Sequence, residues 1–265
     1  MEGQLHKMNT SDEAGDVRYH LVLGNDQHAL APFLGQRVRF SFTGEIRCVA
    51  CGARTKRSWQ QGHCYPCTLR LASCDLCIVK PELCHYARGT CREPEWGEAN
   101  CLKGHVVYLA NSSGLKVGIT RESQVPTRWM DQGAHQALPI LRVKDRLTSG
   151  KVELLFGEFV GDKTNWQRML KGDPDPVDLE QKREELLGLL AEKLAAHETE
   201  GLAGPVRTFK YPVLEWPQKV KSYGFDKTPV VEDRLVGIKG QYLIFANGVM
   251  NVRAHAGHVA RWESL

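Results

Sequence analysis

The sequence predicts an α+β protein: a cysteine-rich module feeds a small α/β core, flanked by antiparallel β units at both ends of the chain. Three observations carry this expectation. Short apolar runs bounded by Gly, Asn, Asp or Ser recur near both ends of the 265 residues, as in Val38-Arg39-Phe40-Ser41-Phe42 and Tyr242-Leu243-Ile244-Phe245; such runs read as strands joined by tight turns. All nine cysteines fall between Cys48 and Cys101. Helical periodicity is confined to a few stretches, the longest from Pro176 to His197.

Composition narrows the class. With 42% hydrophobic and 25% charged residues, the chain is ordinary globular material, and no run approaches the ~18 apolar residues that a membrane span needs. Residues 1–16 are polar, lack the apolar core of a secretory leader, and are expected to be a disordered lead-in. Many cysteines without such a leader point to a reducing, cytoplasmic setting, where cysteine clusters bind metal more often than they form disulfides. The formal charge of +4 counts cysteines as neutral. Thiolates of two four-cysteine zinc sites would add eight negative charges against four positive ones, leaving the loaded protein about neutral. Distribution is more telling. Residues 101–152 hold eight Lys/Arg and three Asp/Glu, and residues 173–200 hold nine acidic and three basic residues. This asymmetry suggests one face for a polyanion.

Residues 17–47 read as a small β unit. The module at 48–101 begins with Cys48-Val49-Ala50-Cys51 and Cys64-Tyr65-Pro66-Cys67. Paired CxxC turns present four soft ligands from two knuckles, the signature of a structural zinc ribbon. Lys56, Arg57 and Trp59 in its loop are either a nucleic-acid contact or a solvated loop. Five cysteines follow: Cys74, Cys77, Cys84, Cys91 and Cys101. Cys74 and Cys77 form the expected pair, with Cys84 third and either Cys91 or Cys101 fourth; His85 and His105 are further candidates. A second zinc is favoured, and an iron–sulfur cluster would also take four thiolates. Closed four-thiolate sites leave no open position for catalysis.

Residues 102–172 form the expected core. Val106-Val107-Tyr108-Leu109 and Leu115-Lys116-Val117-Gly118-Ile119, joined by Asn111-Ser112-Ser113-Gly114, read as a hairpin. Pro126 suits the first turn of a helix carrying Arg128 and Trp129. Lys151 to Val160 read as a short amphipathic helix with Glu153 on it. Residues 173–201 give an acidic amphipathic helix with Asp175 as its expected cap. Residues 202–265 return to β character, with Asn247-Gly248 as a hairpin signal. Lys239, Tyr242, Asn251, Arg253, His255 and His258 read there as the wet side of a sheet or as a polar binding face.

Tyr108, Lys116-Val117-Gly118, Arg128 and Glu153 together resemble the GIY-YIG nuclease superfamily over about residues 104–170. Lys116 stands where that pattern has its second tyrosine. The resemblance implies a metal-dependent phosphodiesterase with Tyr108 as base or water-positioner, Arg128 and Lys116 as phosphate clamps, and Mg²⁺ or Mn²⁺ at Glu153. Arg121, Arg128, Trp129 and Asn165 would contact the nucleic acid; Asn165 reads equally as a helix cap. The order of parts along the whole chain resembles the uncharacterised bacterial and archaeal domain-of-unknown-function family 2797, which implies no activity. The readings are therefore a DNA- or RNA-cleaving enzyme, a non-catalytic nucleic-acid binder on the same fold, or a zinc-braced protein-interaction scaffold. No Walker loop, dinucleotide fingerprint or G-x-S-x-G elbow occurs.

Overall fold

The computed structural model describes residues 1–265. It opens with β1 (Glu2–Gln4) and the meander β2 (Asn9–Glu13), β3 (Asp16–Leu23) and β4 (Asp26–Ala29), followed by β5 (Arg37–Arg47) and β6 (Arg54–Thr55). The cysteine module contains α1 (Tyr65–Arg70), several single 3₁₀ turns and α2 (Pro94–Asn100). The core follows as β7 (His105–Asn111), β8 (Leu115–Arg121), α3 (Thr127–Asp131), β9 (Gln136–Val143), α4 (Arg146–Gly157), α5 (Trp166–Met169) and α6 (Leu179–Leu194). The chain closes with β10 (Thr199–Gly201), β11 (Arg207–Thr208), β12 (Ser222–Tyr223), β13 (Val230–Lys239), β14 (Tyr242–Phe245), β15 (Gly248–Asn251) and β16 (His258–Ser264). The mixed α+β class is as expected, with three sheets and few helices.

Residues 1–16 are not a disordered lead-in. Glu2 pairs with Arg261 and Gln4 with Val259, while Leu5 and Met8 are fully buried. The Gln241 side chain clasps Met8 from both sides, accepting from its N–H at 2.8 Å and donating to its carbonyl at 3.0 Å. A polar stretch thus satisfies its backbone on partners 233 residues and more away along the chain, which no local pattern reveals.

The terminal β units are likewise not separate. β5 lies between β13 and β16, and Phe40 pairs with Val231 on one side and Trp262 on the other. Alternating apolar residues fix which face of β5 is buried but not which strand it joins. The 242–251 hairpin forms, with Phe245 opposite Gly248, so Ala246-Asn247 make the two-residue loop and Gly248 opens β15.

The five-stranded sheet runs β10-β9-β7-β8, with β11 also on β9. β7 is buried along its whole length because both of its faces are covered. Val106, Tyr108 and Ala110 enter the larger core, whereas Val107 and Leu109 enter a second core with Val152 and Phe156 of α4 and Leu186, Leu190 and Leu194 of α6. This is the strand's period of two expressed as packing.

Two helix boundaries differ from expectation. The acidic helix starts at Leu179, because Asp178, not Asp175, caps it by accepting from the Gln181 N–H at 2.9 Å. Just before it, the Val177 N–H donates to Gln136 Oε1 at 2.9 Å. α4 starts five residues before the expected Lys151, capped by Asp145, which accepts from the Thr148 N–H at 2.8 Å. Thr148, Ser149 and Gly150 are weak helix formers and hide that first turn in the sequence.

Candidate active site and metal centres

The site grows from the β7–β8 hairpin. Tyr108 lies directly opposite Gly118, and the bare glycine leaves the space that its ring occupies. The Tyr108 hydroxyl donates to Gln132 Oε1 at 2.8 Å, and the same oxygen accepts from Lys116 Nζ at 2.9 Å. Gln132 follows α3 directly, so the short helix presents Arg128 and Gln132 to the hairpin together. Beyond β8, the Val117 N–H donates to the Gly161 carbonyl at 2.8 Å, which brings Asp162 alongside.

Arg128, Glu153 and Asp162 act electrostatically on Lys116, and Asp162, Lys116 and Arg128 act on Glu153. Burial, then the Arg128 charge, lowers the Lys116 ammonium to about 8. Burial and the Asp162 carboxylate raise Glu153 to about 7 against the pull of Lys116, Arg128 and Arg146. Burial raises Tyr108 to about 12. Lys116 spans to the neutral Gln132 rather than to a carboxylate, so the charges here are gathered without being consumed in ion pairs.

The structure thus brings together Tyr108, Lys116, Arg128 and Glu153, and adds Gln132 and Asp162, which the sequence did not single out. A polar residue one turn after Arg128 was the available signal for Gln132. Tyr108 does not fit the expected role of base: it is 0% exposed, its proton is already given to Gln132, and burial disfavours its anion.

The expected nucleic-acid contacts separate. Trp129 is 1% exposed and packs edge-on against Tyr108 with centroids 5.8 Å apart, so it is a core residue. Arg121 donates to Asn100 Oδ1 and ties β8 to α2. Asn165 caps α5, accepting from the Arg168 N–H at 3.0 Å. The basic stretch is also partly neutralised, since Arg142 pairs with Glu122 and Glu200, and Lys144 with Glu198 at 3.0 Å. Strand β10 lies beside β9 and so sets acidic residues next to basic ones instead of on a separate face. At the C-terminal end, Lys239 is fully buried, donating to Asp173 at 2.7 Å, and His258 is 4% exposed; these two are neither a wet side nor a binding face.

The first cysteine set assembles as expected. The sulfurs of Cys48, Cys51, Cys64 and Cys67 lie within 4.8 Å of one another, with Cys51 and Cys64 at 3.8 Å. Four thiolates on one tetrahedral zinc stand about 3.8 Å apart, so this donor set could hold zinc. Around the second set, the ligand atoms of Asp75, Cys77 and His85 also lie within 4.8 Å of one another and could hold zinc. Cys74, the expected partner of Cys77, is absent from that group and from the wall of the cavity that Cys77, Cys84, Cys91 and Cys101 line together. Both alternatives for the fourth position, Cys91 and Cys101, are on its wall. His105 is not among its lining residues; its Nδ1 faces the Lys103 carbonyl at 2.7 Å.

The cysteine module also braces the candidate site. Arg146 at the start of α4 donates to the carbonyls of Cys77 and Ile78. Gly150 lets Pro81 approach, since a β-carbon there would stand 2.6 Å from Pro81 Cβ. Glu153 is one turn further along the same helix.

No helix of the protein is long and apolar enough to cross a membrane. No curated protein and no solved structure matches the chain. The family model described as "Protein of unknown function (DUF2797)" matches residues 35–260, most of the sequence, and the chain belongs to that family.

Proposed function

We propose that this protein cleaves phosphodiester bonds in DNA or RNA at the cluster of Lys116, Arg128 and Glu153. The observation that carries this reading is the meeting of those three charged groups around Tyr108 and Gln132, with Lys116 bonded to the neutral Gln132. Arg128 supplies a fork of donors for a phosphate and for the charge that develops on it during displacement. Lys116, at about 8, is neutral in a useful fraction near neutrality and is the group able to take a proton from the attacking water. Tyr108 is a positioning residue, holding Gln132 where it orients the Lys116 ammonium.

Glu153 and Asp162 fit a hard divalent cation: the Asp162 carboxylate disfavours the negative charge on Glu153, and that repulsion is what a shared cation relieves. Bound there, Mg²⁺ or Mn²⁺ would polarise a phosphate oxygen. The water oxygen forms a new bond to phosphorus and the bond to one sugar oxygen breaks; that oxygen takes a proton from solvent water, giving a phosphate end and a hydroxyl end, and Lys116 returns its proton to solvent. The zinc ribbon supplies docking. Its loop exposes Arg54, Lys56 and Arg57, and Arg57 lies 4.5 Å over the Trp59 ring, a basic and aromatic surface suited to a polyanion.

A second reading is a non-catalytic nucleic-acid binder on the same fold, favoured by the sealed Tyr108 hydroxyl and by lysine at position 116. Incubation of a mixed DNA and RNA panel with Mg²⁺ or Mn²⁺ separates the two. Cleavage lost in Glu153→Gln supports the first reading, and salt-dependent binding without cleavage supports the second.

A further inference from the structure

Two thiolates on a single zinc can stand at most about 4.6 Å apart, twice the Zn–S bond of about 2.3 Å. The first cysteine set meets that condition. The second meets a different one. Cys77, Cys84, Cys91 and Cys101 line one cavity, yet no three of their sulfurs lie within 4.8 Å of one another. As they stand, no single ion can collect three of them. Their spacing agrees: six, six and nine residues separate them, so none of the four shares the short knuckle that presents two sulfurs to one zinc. A polynuclear centre that gives every thiolate its own metal atom holds its sulfurs farther apart.

We infer that Cys77, Cys84, Cys91 and Cys101 bind a [4Fe–4S] cluster, one thiolate on each iron. The walls suit it. Ala72, Ile78 and Trp96 contribute apolar surface, and Gly97 keeps α2 clear, because a β-carbon there would stand 3.0 Å from the Tyr86 ring and 3.5 Å from Cys91 Sγ. A cluster with four thiolates carries a net negative charge, and the cations that face it are Arg92 on the wall, Arg146 beside Cys77 and Cys101, and Arg121 beside Cys101.

The alternative zinc set of Asp75, Cys77 and His85 is already engaged. Asp75 pairs with Arg92, its Oδ2 2.6 Å from Nε, and faces His85 Nε2 at 3.5 Å, while His85 Nδ1 meets the Thr90 hydroxyl at 2.8 Å. A guanidinium that close to the carboxylate opposes a second cation on it. Cys74, off the wall, is left outside the set.

The test is metal and sulfide analysis of the full chain purified without oxygen, before and after reconstitution with ferrous iron and sulfide. Expected are iron and acid-labile sulfide at about four each per chain, one zinc, and a broad visible absorption that bleaches on reduction. Cys84→Ala removes iron and sulfide and keeps the zinc, whereas Cys74→Ser and His85→Ala keep both. Two zinc ions and no sulfide after reconstitution would overturn the inference, as would loss of the second metal in Cys74→Ser or His85→Ala. The wild-type count decides the matter even if Cys84→Ala fails to fold.

Discussion

A β-carbon on Gly118 would stand 2.6 Å from the hydroxyl of Tyr108, its cross-strand partner. The glycine therefore makes the slot in which the ring lies, and the ring's hydroxyl sets Gln132, which sets Lys116. One missing methyl group thus reaches the charged cluster in three steps. Gly118→Ala is expected to destabilise the fold by about 1–3 kcal/mol, the usual cost of overpacking a filled core. Combined with Tyr108→Leu, the two changes are expected to cost less than the sum of their separate effects, because the smaller side chain vacates the contested space. Urea unfolding of the single and double variants checks this; strict additivity would contradict it.

Two helical glycines are expected to respond with opposite signs. Gly188 in α6 is exposed, and a β-carbon added to it would have nothing within 4 Å, whereas one on Gly150 in α4 would meet Pro81 and the Glu82 backbone at 2.6 and 2.7 Å. Gly188→Ala is expected to raise stability by about 0.5–1 kcal/mol through helix propensity alone. Gly150→Ala gains the same propensity but forces α4 off the cysteine module, so its net effect is destabilising. Thermal unfolding of both variants gives the two signs.

The His255–His258 pair makes stability depend on pH. Burial lowers both, His255 to about 4, with His258 adding like-charge repulsion; their rings lie 5.3 Å apart beside Phe225. The unfolded chain takes up these protons near pH 6.5 and the folded chain does not, so stability is full above about pH 6.5 and falls as pH drops toward 4. His255 alone contributes on the order of 3 kcal/mol to that loss. His255→Phe is expected to flatten the slope of unfolding free energy between pH 6.5 and 5 relative to wild type. Both proteins carry the same cysteine sites, so acid release of metal cancels in the comparison. An unchanged slope would contradict the assignment.

Removal of the ribbon metal is expected to be local in place and large in size. Cys64→Ser takes one of four thiolates from a set whose assembly contributes on the order of 10 kcal/mol when zinc is bound. Loss of one zinc per chain and proteolytic opening between Cys48 and Cys67 are the expected results, measured by metal analysis and limited digestion. Retention of full zinc would rule out Cys64 as a ligand.

What can be read from the sequence follows the range of the interactions. The hairpin holding Tyr108 and Lys116, and the cluster of Cys48, Cys51, Cys64 and Cys67, are set by residues within about twenty positions of one another, and both assemble as expected. Trp129 misleads because a tryptophan beside an arginine looks the same whether it faces solvent or the core. Lys239 misleads because its burial depends on Asp173, a distant partner. The Cys74–Cys77 spacing imitates a zinc knuckle, whereas the four cysteines that share the cavity have no short-range signature. The pairing of β1 and β5 with the C-terminal strands joins opposite ends of the chain, and alternation alone carries no record of it.

The measurement closest to the central claim is single-turnover cleavage of labelled duplex, single-stranded and branched DNA and structured RNA, with and without Mn²⁺ or Mg²⁺. Wild type and Glu153→Gln would be compared after both are shown to hold equal zinc and to unfold at equal denaturant concentration. The account predicts cation-dependent cleavage by the wild type, a loss of at least about a hundredfold in Glu153→Gln, and retained binding by the variant. Equal cleavage by both proteins, or none by either on any member of the panel, would contradict it.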